Sequence, residues 1–193
     1  MKKKAIICNT IIFLLEIIGF ILYIRRMHTA SLEYYTMDSN LLAMITSAIF
    51  IVYPHKNKTF IRDLRFITTS CLTVTFLVVI FVLCPMANFD YMTFLFGEEM
   101  IIFHTLCPII SIISYVLFEK KSNKRYLGFI FTVFYSLVLI ILNLLNQING
   151  PYPFLRIREQ PVLMSIFWAI MIVGGSYIIG LGLNYWNNKN KRS

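Results

Sequence analysis

Residues 125–146 read RYLGFIFTVFYSLVLIILNLLN, a stretch in which no charged residue follows Arg125. A helix needs about 20 predominantly apolar residues to cross a hydrocarbon core of about 30 Å, so this stretch predicts a transmembrane helix. The strands of a transmembrane β-barrel would be about 10 residues long and would alternate between apolar and polar positions, which this stretch does not do. Stretches of the same kind recur at 5–24, 34–53, 64–84, 101–118 and 162–183.

The composition of the chain agrees with six transmembrane helices. Of its 193 residues, 58% are hydrophobic and 14% are charged, and the mean hydropathy is +0.72. A soluble domain has about 25% charged residues and lacks apolar stretches of this length. The connections are short, and no linker or internal repeat separates the stretches. We therefore expect an all-α fold, a polytopic membrane bundle of six helices that forms one domain over residues 1–193.

The net charge of +9 is distributed unevenly along the chain. With six helices, the two termini and the connections at 54–63 and 119–125 share one side of the membrane. Fourteen Lys and Arg residues lie on that side or at its membrane edge: Lys2, Lys3, Lys4, Lys56, Lys58, Arg62, Arg65, Lys120, Lys121, Lys124, Arg125, Lys189, Lys191 and Arg192. The other side holds Arg25, Arg26, Arg156 and Arg158. Because cytoplasmic segments are enriched in Lys and Arg, both termini are predicted to be cytoplasmic. The distribution favours contact with membrane lipids over binding of nucleic acid.

The four cysteines lie in or at the edges of the apolar stretches, at Cys8, Cys71, Cys84 and Cys107. None belongs to a Cys-x-x-Cys motif or has the His-associated spacing of a metal site, so neither a metal centre nor a cofactor is predicted. Cys84 and Cys107 both lie towards the outer side. The sequence leaves two alternatives open: these two cysteines form a disulfide, or all four cysteines are buried free thiols.

The second stretch begins with polar residues, Tyr-Tyr-Thr-Met-Asp-Ser-Asn at 34–40. The apolar part at 41–53 spans only about 20 Å at 1.5 Å per residue, which is shorter than the hydrocarbon core. The polar segment is therefore expected to lie partly within the outer leaflet, against protein or trapped water. In the structural alternative, Thr36, Asp38 or Ser39 caps the helix N-terminus.

His104 is the only histidine within an apolar stretch, about one turn from the outer end of the fourth. Pro108 cannot donate a hydrogen bond to the His104 carbonyl, so the helix is expected to be loosened there. An interfacial histidine beside a kink is the structural interpretation; a neutral imidazole that acts as a general base is the functional one. Thr36 enters the membrane from the same side, and direct proton transfer between the two side chains requires about 3 Å.

Other polar residues accompany this pair or lie deeper in the membrane. We expect a supporting cluster near the outer side, formed by Asp38, Asn40, Asn143 and Asn146. The amides are candidate donors to a developing oxyanion. Glu16, in the middle of the first stretch, is expected either to pair with a polar group of a neighbouring helix or to be protonated.

Three short motifs resemble one protein family. YTMDSNLL at 35–42, HTLCP at 104–108 and GPYPF at 150–154 are similar to segments of the androgen-induced membrane protein family, which includes the androgen-dependent TFPI-regulating protein. The residues after Thr36 match the bacterial six-span relatives better than the animal members. The animal members hydrolyse fatty-acid esters of hydroxy fatty acids with an intramembrane Thr and His. The resemblance implies that Thr36 is the nucleophile and His104 its base.

Three hypotheses follow for the function. The first is an intramembrane threonine hydrolase of lipid esters, with membrane lipids as partners. The second is a small transporter, channel or sensor that uses the same outward polar cluster as a ligand or proton site. The third is a non-catalytic bundle whose polar residues only hold the helices together. The absence of an organelle-type address favours a cell (plasma) membrane, which the chain would cross several times.

Overall fold

The structure is a computed structural model that describes residues 2–28, 33–53 and 59–190. In that part of the chain the regular structure is entirely helical, and six helices are long and apolar enough to cross a membrane. These six are α1 (Lys2–Met27), α2 (Tyr35–Val52), α3 (Thr59–Met86), α5 (Ile101–Phe118), α6 (Leu127–Leu144) and α7 (Val162–Lys189). A short helix, α4 (Tyr91–Phe96), lies between α3 and α5. The predicted all-α bundle of six transmembrane helices is confirmed, and the chain is a multi-pass membrane protein.

The helices differ from the predicted stretches mainly at their ends. Helix α1 extends to Lys2 and Met27, α3 begins at Thr59, and α7 continues to Lys189. The added turns contain charged and amide side chains, which are stable in a helix outside the hydrocarbon core. Hydropathy therefore predicted the apolar central part of each helix. The helix continues past this part because its backbone hydrogen bonding does not depend on apolar side chains.

Two of the transmembrane helices contain a π-helical turn just before a proline. The turn at Val79–Leu83 in α3 precedes Pro85, and the turn at Ile101–Leu106 in α5 precedes Pro108. A proline has no N–H to donate and its ring crowds the carbonyl four residues earlier, so a wider turn relieves both effects. For Pro108 that carbonyl belongs to His104. The expected loosening of the helix at His104 is therefore a π turn that contains His104 itself.

The termini and the connection between α5 and α6 meet at one end of the bundle, which we call the charge-rich end. The Lys4 ammonium lies 5.6 Å from the centroid of the Phe118 ring, and Lys121 Nζ donates to Asn188 Oδ1 at 3.2 Å. Of the fourteen cations assigned to this side, Lys56, Lys58, Lys191 and Arg192 lie outside the described residues.

A buried polar network holds three helices together near the charge-rich end. The Arg65 guanidinium of α3 pairs with the Glu119 carboxylate at 3.0 Å, and the pair is almost completely buried. Asn9 of α1 and Ser114 of α5 donate to Glu119 Oε1 at 3.0 and 2.6 Å. Inside a bilayer an apolar side chain gains little free energy by moving from lipid to another helix, because both are apolar. Polar contacts of this kind therefore specify how the helices pack.

The cysteines and Glu16 lie among these helices without forming a cross-link. All four thiols are unpaired, so Cys84 and Cys107 do not form a disulfide. The Glu16 carboxyl is completely buried and lies against the Cys107 thiol, which joins α1 to α5 at the middle of the bundle. Neither carboxyl oxygen of Glu16 has a hydrogen-bond partner among the described residues, so the structure shows a thiol neighbour on another helix but no hydrogen-bonded pair.

Candidate active site

Thr36 is the second residue of α2, and the first turn of this helix is not capped by its own segment. Tyr34 occupies the N-cap position without a side-chain hydrogen bond. The Ser39 hydroxyl turns away from the first N–H groups, since it donates to the Thr36 carbonyl at 3.1 Å and meets Thr75 Oγ1 at 3.0 Å. Instead, the Thr36 N–H donates to the hydroxyl of Tyr152 at 3.3 Å. The capping interpretation of Thr36, Asp38 or Ser39 is therefore wrong.

The side chains of Thr36 and His104 are in direct contact. Thr36 Oγ1 lies 3.3 Å from His104 Nε2, and both residues are buried, with 8% and 5% of their surface exposed. The contact joins the first turn of α2 to the π turn of α5 across 68 residues of sequence. A hydroxyl and an imidazole at this distance can exchange a proton without an intervening water.

The backbone of α4 determines which nitrogen of His104 carries the proton. His104 Nδ1 lies 2.7 Å from the carbonyl oxygen of Phe94. A carbonyl only accepts, so in the neutral ring the proton is on Nδ1 and the lone pair of Nε2 faces Thr36. The next residue is held in the same way, since the Thr105 hydroxyl donates to the Leu95 carbonyl at 2.9 Å.

Helix α4 can present these carbonyls because its last turn has no further helix to bond with. Its first turn is fixed by Asp90, whose Oδ1 accepts from the Thr93 N–H at 3.0 Å. These hydrogen bonds hold the pKa of Asp90 below its usual value, so the cap is a carboxylate at neutral pH. The connection between α3 and α5 therefore contacts α5 through the Phe94 and Leu95 carbonyls.

Tyr152 is a third polar group at the site, and it is not a member of the supporting cluster that the sequence predicted. Its hydroxyl accepts from the Thr36 N–H and lies 3.5 Å from Thr36 Oγ1. Burial raises the pKa of Tyr152 to about 12, although its hydrogen bonds with Thr36 act in the opposite direction. Tyr152 thus keeps its proton at neutral pH and can donate it towards Thr36 Oγ1. The sequence feature that points to Tyr152 is the turn around Gly150. Gly150 has a φ of +75°, which glycine adopts readily, and the turn directs the chain back to the bundle.

Of the predicted supporting cluster, only Asn40 reaches the pair. Its amide donates to the Thr36 carbonyl at 2.7 Å and to the Phe103 carbonyl at 3.4 Å, so it joins the two segments that carry Thr36 and His104. Both interactions use N–H donors of the amide, so in this arrangement Asn40 positions the pair and is not directed at an oxyanion.

The other three predicted residues lie elsewhere. Asn143 donates to the Ile148 carbonyl at 3.3 Å and closes the turn after α6, while Asn146 is exposed in that turn with a φ of +61°. Asp38 is half-buried, and neither of the two cavities described below is lined by it. Hydrogen bonds therefore join Thr36, His104 and Asn40, and none of those among the described residues joins Asp38, Asn143 or Asn146 to this pair.

Two cavities meet at Thr36. The larger, which we call the His104 cavity, has a volume of about 410 Å³. Its wall includes Tyr23, Arg26, Met86, Phe103, His104 and Pro151. The smaller, which we call the Trp168 cavity, has a volume of about 80 Å³. Its wall includes Val74, Val79, Ser136, Ile140, Trp168 and Ile172. Thr36, Leu83 and Tyr152 line both cavities.

An ion pair lies at the edge of the His104 cavity. Arg26, at the end of α1, bonds to Glu99 Oε1 through Nε at 2.9 Å and through Nη2. The Glu99 side chain is completely buried, whereas 44% of the Arg26 side chain is exposed. The pair attaches α1 to the segment before α5 and places a cation where the cavity meets the outside of the bundle.

Comparison of the chain with protein-family models, curated proteins and solved structures finds no match. Within residues 2–28, 33–53 and 59–190, no cluster of three or more His, Cys, Asp or Glu side chains could hold a metal ion. What the described site contains is a hydroxyl, a base whose free nitrogen faces it, a carbonyl that orients the base, and a neutral phenol. Groups of these types, at these distances, are chemically able to carry out nucleophilic acyl transfer.

Proposed function

We propose that this protein is an intramembrane threonine hydrolase of lipid (fatty-acid) esters. The observation that carries the proposal is the 3.3 Å contact between Thr36 Oγ1 and His104 Nε2, with Nδ1 bonded to the Phe94 carbonyl. A nucleophile, a base and a group that orients the base form the arrangement used in covalent acyl transfer. The resemblance of the YTMDSNLL and HTLCP segments to the androgen-induced membrane protein family supports the same roles.

In the first half of the reaction, His104 Nε2 removes the proton from Thr36 Oγ1 as this oxygen attacks the ester carbonyl carbon. The carbonyl π electrons move onto oxygen and give a tetrahedral oxyanion. When the intermediate collapses, the carbon–oxygen bond to the alcohol breaks, and the leaving oxygen takes the proton from Nε2. The acyl group is then esterified to Thr36, and the alcohol is free.

In the second half, water takes the place of the alcohol. His104 Nε2 removes one of its protons as the water oxygen attacks the acyl-threonine carbonyl. Collapse of the second oxyanion breaks the bond to Thr36 Oγ1, which recovers the proton from Nε2. The products are one fatty acid and one alcohol, and the residues return to their starting protonation states.

Tyr152 and the N-terminus of α2 supply the electrostatic support. The Tyr152 hydroxyl is a side-chain donor next to Thr36 Oγ1, at 3.5 Å, and it keeps its proton because burial raises its pKa to about 12. The first turn of an 18-residue helix places a partial positive charge beside the same oxygen. Negative charge that develops on Thr36 or on the substrate oxygen is favoured at this position.

The membrane setting determines the class of substrate. Both cavities are bordered mainly by apolar side chains. The Trp168 cavity lies mainly between membrane-crossing helices, and the His104 cavity lies between the ends of such helices and the connections at 87–100 and 151–153. An ester with long alkyl parts can reach such a site from the bilayer. In this proposal both termini are cytoplasmic and the site lies near the outer leaflet, as the distribution of Lys and Arg indicates. The membrane is proposed to be the plasma membrane.

Covalent labelling with a fluorophosphonate probe tests the proposal on the purified full-length protein. Wild type is expected to be labelled at Thr36, and the Thr36→Ala and His104→Gln variants are expected to lose labelling. Thr10→Ala is the matched control, because Thr10 donates to the Ile6 carbonyl at 3.0 Å in α1 and lines neither cavity. Monodisperse elution and an unchanged unfolding temperature establish that each variant is folded.

Two outcomes would contradict the hydrolase. Labelling that survives in Thr36→Ala would show that another nucleophile reacts. Folded wild type that is neither labelled nor able to hydrolyse p-nitrophenyl esters would leave the Thr36–His104 pair as a ligand or proton site, as in the transporter or sensor hypothesis.

A further inference from the structure

The Trp168 cavity has the lining expected for a hydrocarbon chain. Most of its wall consists of aliphatic and aromatic side chains from α3, α6 and α7. Its two deeper tyrosines direct their hydroxyls to other protein groups, since Tyr35 Oη lies 2.9 Å from Thr132 Oγ1 and Tyr135 Oη donates to the Glu33 carbonyl at 2.6 Å. A chain in this cavity would therefore meet mainly apolar surface.

The position of His104 decides which part of an ester lies in which cavity. His104 lines the larger cavity and not the Trp168 cavity, whereas Thr36 lines both. The leaving alcohol oxygen must take its proton from His104 Nε2, and the water that replaces it must give a proton to the same atom. Both therefore occupy the His104 cavity. The acyl chain, bonded to the opposite side of the carbonyl carbon, is left with the Trp168 cavity.

We infer that the Trp168 cavity is the acyl-chain site, and that the substrate is an ester of a medium-length fatty acid with a larger lipid alcohol. The inference rests on the hydrolase proposed above and specifies its substrate. The alcohol takes the cavity of about 410 Å³, and the acyl chain takes the one of about 80 Å³.

The chain length follows from the smaller volume. A water molecule needs about 10–15 Å³ on this measure, so a cavity of about 80 Å³ holds about six water-sized groups. A methylene group has a volume similar to that of a water molecule, and about six of them beyond the carbonyl correspond to a hexanoyl to octanoyl chain. Phe154 and Trp168, whose ring centroids are 5.8 Å apart, belong to the same wall and limit the space beside Tyr152.

A series of p-nitrophenyl esters, from acetate to palmitate, tests this assignment with the full-length protein in lipid nanodiscs. Calculated with the concentration of ester free in water, kcat/KM is expected to rise about fourfold per methylene while the chain fills the cavity, and to fall beyond hexanoyl to octanoyl, because a longer chain no longer fits. Ile172→Ala enlarges the cavity and is expected to move the optimum to longer chains by about two to three carbons, since protein interiors are close-packed. Ser136→Leu fills the cavity and is expected to move it to shorter chains.

Each variant has a control on the same helix that faces away from the cavity. Ile170→Ala repeats the Ile172 substitution at a residue that is 66% exposed, and Leu137→Phe adds volume next to Ser136 at a residue that is 53% exposed. Neither control residue lines a cavity, and both variants are expected to keep the wild-type optimum. If Ile172→Ala and Ser136→Leu keep the wild-type optimum while Thr36→Ala is inactive, the acyl-chain site is overturned. The hydrolase proposal is not contradicted by that result.

A binding measurement separates the two proposals when hydrolysis itself is absent. Octanoic acid with a terminal photoreactive diazirine is expected to cross-link to α6 and α7 residues of the Trp168 cavity, in wild type and in Thr36→Ala alike. Ser136→Leu is expected to reduce this cross-linking, and Leu137→Phe is not. Cross-links at Met86 or Phe103 of the His104 cavity would overturn the assignment whatever the activity. The expected cross-links on a wild type without esterase activity would overturn the hydrolase alone.

Discussion

Replacing Tyr152 by phenylalanine removes a single oxygen from the proposed active site. That oxygen accepts the Thr36 N–H at 3.3 Å and lies 3.5 Å from Thr36 Oγ1. The phenyl ring would keep its packing, because the Tyr152 ring stacks on Phe154 with centroids 5.1 Å apart. The substitution therefore tests the hydroxyl separately from the shape of both cavities.

The size of the effect follows from the role of that hydroxyl. Loss of one oxyanion-hole donor lowers kcat by about 10² to 10³. The 3.5 Å separation exceeds the ideal length for a hydroxyl donor, so we expect the lower end of that range, a loss of about 100-fold. The value of KM should change little, because the donor acts mainly on charge that develops after binding. Since the pKa of Tyr152 is raised to about 12, the ratio of wild-type to variant kcat should stay constant up to about pH 10.

Hydrolysis of p-nitrophenyl hexanoate and thermal unfolding in detergent provide the two readouts. Tyr115→Phe is the matched control. Tyr115 is fully buried, and its hydroxyl donates to Asn184 Oδ1 at 2.7 Å near the charge-rich end, so the control loses stability without touching the site. A kcat for Tyr152→Phe within about threefold of wild type would refute the electrostatic role and reduce Tyr152 to a cap of α2.

Three further substitutions test the packing that supports the site. Asn40→Leu breaks the link between α2 and α5, and we expect a loss of kcat together with about 1–3 kcal/mol of stability, mainly because the Phe103 carbonyl loses its side-chain donor, measured by kinetics and thermal unfolding. Glu119→Gln leaves the Arg65 guanidinium buried without its carboxylate, which should cost about 3–5 kcal/mol; an unchanged unfolding temperature would contradict this. Gly128→Ala places a Cβ against the Ser70 side chain of α3 and should destabilise by about 1–3 kcal/mol, whereas Gly174→Ala meets nothing within 4 Å and should not.

The six helices could be predicted from sequence because the thickness of the bilayer fixes their length and polarity. The shared depth of Thr36 and His104 followed from the alternation of the helices across the membrane. Depth does not determine which side of a helix a residue occupies. His104 lies inside the π turn at Ile101–Leu106, where the angle between successive side chains differs from that of a regular α-helix. The direction of the His104 side chain could therefore not be predicted from the periodicity of a regular helix.

The roles of the asparagines were harder to predict for a different reason. Asn143 and Asn146 lie at the end of α6, where the chain reverses, and the reversal uses them locally. Asn40 is a polar residue near the outer side in the same way, but it lies inside α2, and its amide donates to two backbone carbonyls. Tyr152 is distant from α2 in sequence and meets it through a loop whose path depends on tertiary packing. Composition identifies such polar residues but does not say which of them converge.

The carbonyl of Phe94 has a consequence for how this protein can be studied and changed. In a Ser-His-Asp triad the group that orients the histidine is a side chain, which a point mutation can remove. Here it is a backbone atom, and every amino acid at residue 94 supplies the same carbonyl. Alanine scanning would pass over this part of the site, and so would a search for a third acidic residue. The position of this carbonyl depends on the length and fold of the connection between α3 and α5. Inserting or deleting one residue in that connection is therefore the genetic change that would move it.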